Sequence, residues 1–439
     1  MSPHSQEHKS AGARWGRRRR LALKLSLVAG GLLVGLLLVE VALRLVGFSF
    51  PTFYTPDETR GYALRAGMAG WYRKEGESYV RINSEGLRDR EHSKVKPPGT
   101  FRIAVLGDSY VEALQVPAED AFWSVLESRL SQCAAFGGRN VEVINFGVSG
   151  YGTAQELITL REQVWQYEPD LVLLALTTNN DITDNSRALK QTDEIPYFVY
   201  RDRQLVLDDS FRATPAFRFR QSMPSRLGRW FRDSSRVIQA LHQAQYALKH
   251  RLAERRARMK AAMHMQELPP QQTGTVAMPS DTPAAEAAAK QVAPTPNEVG
   301  IDNLIYREPT EAVWQEAWLV TENLLTLMRD EVEGRGANFL VVTLSNGVQV
   351  HPEPAARGAF KTRTGARDLL YPDLRIKSLG ERAKFAVINL APDLQTYAER
   401  HKVYLHGFGA DIGNGHWNQL GHQVAGELLA QKLCECAKE

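Results

Sequence analysis

Ile103-Ala104-Val105-Leu106-Gly107-Asp108-Ser109-Tyr110, with the amphipathic stretch Phe122 to Leu130 behind it, decides the fold. An apolar run, a tight turn and a helix follow one another, the pattern of a buried strand handing over to a helix. A serine on such a turn lies at the carboxyl end of a strand, where open α/β sheets gather their ligands, and its backbone N–H can bind an oxyanion. Taken alone, Gly-Asp-Ser is common by chance and is usually just a solvated turn. What gives it weight is what else the chain places at strand ends.

Downstream, Val141 to Asn145 and Leu171 to Leu176 read as strands, with a helix from Ala154 to Gln166 between them. Strands alternating with helices predict an α/β domain around a parallel sheet. The alternation stops after Asn185. Thr192 to Asp209 reads as a polar β excursion, residues 235 to 265 as a basic, Ala-rich helical stretch, and Leu268 to Pro296, rich in Pro, Gln, Thr and Ala, as a flexible linker. A helix from about Glu311 to Glu333, strands Asn338 to Leu344 and Ala386 to Leu390, and a final helix from about Asn418 to Leu433 resume the pattern. The expected organisation is one sheet domain, residues 101–191 and 310–439, interrupted by a partly disordered insertion, 192–309, that is placed to shape a cleft.

Upstream, Gly70 to Asn83 alternates apolar and polar residues about Glu75-Gly76, which predicts a hairpin within a lead-in spanning residues 47–100. Before it, within an anchor bounded at residues 21–46, Leu25 to Val39 is apolar and continues through Val41 to Val46, interrupted by Glu40 and Arg44, one helical turn apart and able to pair; together these reach membrane-spanning length. No small-x-small cleavage site ends the run, so it reads as an uncleaved anchor, with a cleaved signal peptide as the rival. Residues 1–20 carry Lys9, Arg14 and Arg17 to Arg20 against Glu7, and the remaining chain is close to neutral within a net charge of +4. A nucleic-acid binder spreads such charge over a folded face; here it precedes an apolar segment and reads as a topology signal that keeps the tail cytoplasmic and exports the body.

Hydrophobic residues at 43% and charged residues at 24% allow a sizeable core and exclude a disordered chain. Cys133, Cys434 and Cys436 lack four-ligand spacing, so no zinc site is expected. In a doubly wound sheet the helix before Cys133 and the last helix can be parallel neighbours, which would let Cys133 meet Cys434 or Cys436; three unrelated thiols are the alternative. Gly147 and Gly150 lack the dinucleotide fingerprint, and neither a nucleotide nor a metal cofactor is implied.

Three further sites fall at predicted strand ends: Asn145-Phe146-Gly147-Val148-Ser149-Gly150, Thr177-Thr178-Asn179-Asn180-Asp181, and Gly415-His416-Trp417-Asn418 before the last helix. Loops on one sheet edge converge. Ser109 is then a candidate nucleophile and His416 its general base, with the backbone N–H groups of Ser109 and Gly147 and the Asn180 amide as oxyanion donors. Separately, each has a bland reading: helix caps for Asn145 and Asn180, turns for the glycines, a packed surface pair for His416 and Trp417. His422 reads as a helix packing residue and His351 as a loop histidine.

These four segments, in this order, resemble the SGNH/GDSL hydrolase family, whose blocks supply a Ser, a Gly, an Asn and a His, matched here by Ser109, Gly147, Asn180 and His416. The resemblance covers about residues 101–185 and 338–433 and implies a three-layer α/β/α sandwich around a parallel sheet. Ile82-Asn83-Ser84-Glu85-Gly86-Leu87-Arg88 looks like the lead-in of membrane-anchored bacterial members, often associated with acylation or deacylation of exported polysaccharides. The resemblance thus implies a serine esterase or O-acyltransferase acting on acylated carbohydrate, held by a single span in the inner membrane with its catalytic domain on the periplasmic side. Two positions depart from the family pattern. Thr178 stands where the third block has Gly, and the Asp expected two or three residues before the histidine is replaced by Asn414 and Gly413. Asp411, folding back over the glycine-rich loop, or Asn414, as a neutral partner, are the candidates to orient His416. The displaced acid leaves room for a Ser-His dyad or for an inactive polysaccharide-binding or assembly protein, and the anchor for a lipid esterase.

Overall fold

The structure, a computed structural model, describes residues 4–245, 248–249 and 303–436, with side chains from residue 19 onward. The chain divides into two compact units, Met1–Pro51 with Leu227–Ala277, and Thr52–Arg226 with Met278–Glu439. The Leu268 to Pro296 linker lies outside the described residues, as does most of the 235 to 265 stretch.

The second unit is built on five strands: β5 (Thr100–Gly107), β6 (Asn140–Asn145), β7 (Leu171–Thr177), β10 (Asn338–Leu344) and β11 (Ala386–Asn389). They lie in the order β6-β5-β7-β10-β11, and every neighbouring pair is parallel. Successive side chains on a strand point to opposite faces, and the apolar residues divide accordingly. Ala104 and Leu106, with Val172, Leu174 and Leu176, pack on one side; Ile103 and Val105, with Leu171, Leu173 and Ala175, pack on the other.

The first face is covered by α4 (Thr153–Glu162), α10 (Ala312–Gly334) and α12 (Tyr371–Ala383), through residues such as Leu157, Trp318, Leu325 and Ile376. The second is covered by α3 (Phe122–Leu130), α13 (Ala391–His401) and α14 (Gln419–Cys436), through Leu126, Leu394 and Leu429. Each such buried side chain contributes about 1.5–3 kcal/mol relative to exposure. The result is the expected α/β/α sandwich. α3 and α14 approach so closely that a Cβ on Gly426 would stand 2.6 Å from the Phe122 carbonyl oxygen, and Cys133 and Cys434 are joined by a disulfide with Cα atoms 6.1 Å apart.

Among the described residues, three hairpins flank the sheet domain. β1 (Tyr54–Asp57) pairs with β2 (Gly61–Leu64), β3 (Ala69–Tyr72) with β4 (Ser78–Arg81), and β8 (Tyr197–Arg201) with β9 (Gln204–Asp208). The last is the β excursion read from sequence; its Phe198 enters the core on the first face. The chain leaves β5 for β6 through α3 on one face and returns past it to β7 through α4 on the other. The carboxyl ends of β5 and β7 therefore flank a topological switch point, the place where such sheets open a crevice.

The other unit contains the N-terminal helix α1 (His4–Leu45), of which Arg19–Leu45 is long and apolar enough to cross a membrane. A signal sequence near the N-terminus meets the same criterion.

Candidate active site

β5 ends at Gly107, where a Cβ would meet Val111 Cγ2 at 2.3 Å and the Ala175 carbonyl oxygen at 2.9 Å. Only glycine lets the chain turn there straight into the short helix α2 (Ser109–Glu112). Asp108 caps this helix, accepting from the Tyr110 N–H at 3.0 Å, and its fully buried carboxylate also accepts from Thr177 Oγ1 at 3.1 Å and Asn180 Nδ2 at 2.7 Å. One carboxylate thus ties the end of β5 to the end of β7 and fixes the Asn180 amide. The Asn180 nitrogen faces Asp108 and gives it one hydrogen, which leaves the second for another acceptor. As the first residue of a helix, Ser109 has a backbone N–H with no intrahelical acceptor.

Arg88, in the lead-in, is buried beneath the same helix and donates to the carbonyl oxygens of Glu112 and Val116 at 2.9 and 2.5 Å. Asn83 Oδ1 accepts from the Glu85 and Leu87 N–H groups, shaping the turn that presents Arg88. Asn145 Nδ2 donates to the Arg88 carbonyl oxygen at 3.0 Å, and the Asn145 N–H donates to Asp89. The lead-in therefore underlies the chain at the carboxyl ends of β5 and β6.

His416 precedes α14, at the end of a loop folded by Gly407, Gly409, Gly413 and Gly415, all at positive φ. The loop is pinned by the Gly407 N–H on the His416 carbonyl oxygen (2.9 Å) and the Gly413 N–H on that of His406 (2.8 Å). This brings His416 Nε2 to 2.8 Å from Ser109 Oγ. On the other side of the ring, Nδ1 lies 2.5 Å from Glu75 Oε2, while the His416 backbone N–H donates to Glu75 Oε1 at 2.8 Å. Glu75 occupies the turn between β3 and β4. Beside it, Gly76 has φ +66°, and a Cβ there would stand 2.3 Å from the Gln115 carbonyl oxygen. The turn is wedged into place and its carboxylate grips His416 twice, once at the imidazole and once at the backbone N–H.

Burial by itself would raise the Glu75 carboxyl; the hydrogen bonds from His416 and the charge that ring can carry outweigh it and hold the group below the usual glutamate range. With a carboxylate accepting at Nδ1, the ring proton sits there and Nε2 presents a lone pair to Ser109.

The third member of the Ser-His constellation is thus Glu75, and the expected Asp411 and Asn414 are corrected. Asp411 ends a short 3₁₀ turn, Gly409–Asp411, and its side chain is exposed. The tight turns at Gly407 and Gly413 hold the Asn414 N–H on the Asp411 carbonyl oxygen, so both residues serve the loop by their backbones, and the imidazole is already bonded elsewhere. Gly147 is corrected as well. Its N–H donates to Asn145 Oδ1 at 2.8 Å, and its lack of a side chain answers to packing, since a Cβ would meet Val111 Cβ at 2.4 Å. His406, unremarked in the sequence, is buried; its Nδ1 bonds the Gly415 carbonyl oxygen at 2.7 Å, its Nε2 bonds Ser345 Oγ at 3.0 Å, and burial pushes its pKa down to about 4. His422 packs against Phe122 and His351 packs edge-on to Tyr404, and neither lines the Ser109 cavity.

Ser109 and His416 open into a small cavity lined also by Tyr110, Thr177, Asn179, Asn180, Asn346, Gly347 and Gly415. The room for the centre of a water molecule is about 20 Å³, enough for one small group. Tyr110, Asn179 and Asn346 were not legible as site residues. Asn179 sits inside the third block, and Asn346 just past β10, the strand next to β7. Among the described residues no cluster of His, Cys, Asp or Glu is suited to a metal ion.

No family model matches the sequence. An arylesterase of Vibrio mimicus is 36% identical over 81 residues, 18% of this chain and 38% of that protein, so the chain matches well under half the length of this curated relative. Solved structures to which the chain is similar include an α/β hydrolase from the metagenome of Lake Arreo, Spain (13% identity, TM-score 0.34, covering 76% of this chain and 95% of that one). A protein of the G-D-S-L lipolytic family from Desulfitobacterium hafniense (10%, 0.31, 75% and 98%) and an acetylxylan esterase from Geobacillus stearothermophilus (10%, 0.35, 77% and 95%) are similar to comparable extents. Likenesses this distant do not bear on substrate.

Proposed function

We propose that this chain is a serine esterase or O-acyltransferase of the SGNH/GDSL type that works through an acyl-enzyme on Ser109. The observation that carries the reading is the continuous bond from Ser109 Oγ through His416 to Glu75. In the proposed reaction Ser109 Oγ attacks an ester carbonyl while His416 Nε2 takes its proton, and Glu75 stabilises the imidazolium that forms. The tetrahedral oxyanion falls to the Ser109 N–H and the second hydrogen of the Asn180 amide. The imidazolium then returns the proton to the leaving alkoxide, and water or a sugar hydroxyl, deprotonated in turn by His416, releases the acyl group.

The small cavity at Ser109 accommodates an acetyl group, and the ester series below separates that reading from a lipid esterase. An inactive binding protein was suggested by the missing acid; Glu75 stands in that place. With Arg19–Leu45 as an anchor and the basic tail behind it in the cytoplasm, the body would face acetylated carbohydrate on the extracytoplasmic side of the inner membrane. The test is release of 4-nitrophenol from its acetate, octanoate and palmitate esters by the wild type, Ser109→Ala and His416→Ala. The reading expects acetate turnover that both substitutions abolish. Rates equal to background in all three proteins would move the reading to a transferase that requires its own acceptor.

A further inference from the structure

In the unit containing the apolar helix, the carboxylate of Glu40 is fully engaged. Its Oε1 accepts from the Arg236 N–H (3.0 Å) and Arg44 Nε (2.8 Å), and its Oε2 from the Val237 N–H (3.0 Å) and Ser235 Oγ (3.1 Å). Residues 236–245 form a helix, α9, so Glu40 caps it from a different segment, where the helix dipole favours an anion. Arg44 in turn donates to the Ser234 carbonyl oxygen at 2.5 Å, satisfying the last turn of the preceding helix, α8 (Met223–Ser234). The Phe50 N–H donates to Gln239 Oε1 at 2.7 Å. The junction of α8 and α9 is therefore fixed to the final turns of the apolar helix. That is the level at which a spanning helix leaves the hydrocarbon, and it accounts for a carboxylate in an otherwise apolar run.

From this junction the two helices present apolar side chains to solvent: Leu227, Trp230 and Phe231 on α8, Ile238 and Leu241 on α9, with Trp230 59% and Leu241 60% exposed. Arg229, Arg232 and Arg236 are interleaved with them against one acid, Asp233. Within each helix the spacing puts the aromatic and aliphatic residues on one side and the arginines on the other, the composition of a helix lying in a bilayer surface.

We propose that α8 from Leu227 and α9 bind the outer surface of the bilayer as interfacial helices, Trp230, Phe231 and Leu241 entering the acyl boundary and the arginines meeting anionic headgroups. The aromatic residues belong at this depth, and the basic excess matches anionic lipid. The chain is then attached at two places in its sequence, the spanning helix and this helical pair. The proposal rests on the reading of Arg19–Leu45 as a membrane anchor and not on the esterase chemistry.

The test is nitroxide depth measurement on the full-length chain in nanodiscs containing phosphatidylglycerol, in a Cys436→Ser background that keeps the Cys133–Cys434 disulfide. Labels are placed through Trp230→Cys, Leu241→Cys, Asp233→Cys and Leu33→Cys, with circular dichroism to confirm folding. The expected result is a collision ratio at Trp230 and Leu241 favouring oxygen over a nickel chelate, as at Leu33, and the inverse ratio at Asp233. Labels at Trp230 and Leu241 as open to the chelate as Asp233, or shielded from both quenchers as by a protein partner, overturn it. So does a Leu33 label in water, which removes the anchor itself. None of these readouts depends on ester hydrolysis, so the esterase reading stands or falls separately.

Discussion

Replacing Glu75 with glutamine tests whether the hairpin acid acts through His416, and the geometry sets the size of the effect. Glu75 Oε1 accepts the His416 backbone N–H, which cannot change its role, so the new amide must keep its oxygen there and turn its nitrogen toward Nδ1, now 2.5 Å from Oε2. An amide NH₂ donates. Nδ1 must then accept, the ring proton moves to Nε2, and Nε2 faces Ser109 with a hydrogen in place of a lone pair. The corresponding neutral substitution in a Ser-His-Asp triad lowers kcat by on the order of 10⁴. We expect about 10³–10⁴ for Glu75→Gln in the hydrolysis of 4-nitrophenyl acetate, mostly in kcat. Glu75→Ala, which loses the charge-assisted bond without forcing the wrong tautomer, should cost less: about 1.5–3 kcal/mol, or roughly 10–150-fold. Asp411→Asn and Asn414→Ala should stay close to wild type. A Glu75→Gln enzyme within tenfold of wild type, folded by circular dichroism, would refute this reasoning, as would an equal loss in Asp411→Asn.

Gly76→Ala places a Cβ 2.3 Å from the Gln115 carbonyl oxygen at a left-handed backbone position, so the hairpin tip must shift and carry Glu75 with it. Steady-state kinetics should show kcat falling toward that of Glu75→Ala, and urea unfolding a loss of about 1–3 kcal/mol. Removing the disulfide through Cys133→Ser and Cys434→Ser should cost roughly 2–5 kcal/mol of unfolding free energy and leave acetate turnover unchanged, because neither residue contacts the Ser109 cavity. Asp373 is fully buried, and burial raises its carboxyl to about 7 against the hydrogen bonds from Thr343 and Gln349. The folded protein therefore keeps a proton that the unfolded chain loses near pH 4, and stability declines as pH rises from there to about 7, by up to roughly 4 kcal/mol. Asp373→Asn should flatten that decline, measured as urea midpoints at pH 5 and pH 8; an unchanged slope would show that Asp373 is not its source.

The sheet was legible because its strands are buried on both faces and read as unbroken apolar runs such as Leu171 to Leu176, and because Gly107, at a turn that no Cβ can enter, marks the end of the first. Ser109, Asn180 and His416 were legible for the same reason: they follow strands or precede a helix, and the topology brings those ends together. Glu75 was not. Its hairpin could be read from the alternation about Glu75-Gly76, but its partner lies 341 residues away and no local period encodes that contact. Asp411 misled because nearness in sequence to His416 is undone by glycines at positive φ that turn its side chain to solvent. At Gly147 a glycine required by Val111 was read as one required by an oxyanion. The helices Pro354–Thr364, Tyr371–Ala383 and Ala391–His401 begin with or next to proline, a start signal that went unread among polar residues.

The central claim is that Ser109 is a nucleophile activated by His416, and covalent capture tests it most directly. The full-length protein is treated with a fluorophosphonate and its mass and labelled peptide are measured, beside Ser109→Ala and His416→Ala. The account predicts one adduct, on Ser109 in the wild type, absent in Ser109→Ala and strongly slowed in His416→Ala. An unlabelled wild type, or the same adduct in Ser109→Ala, would contradict it.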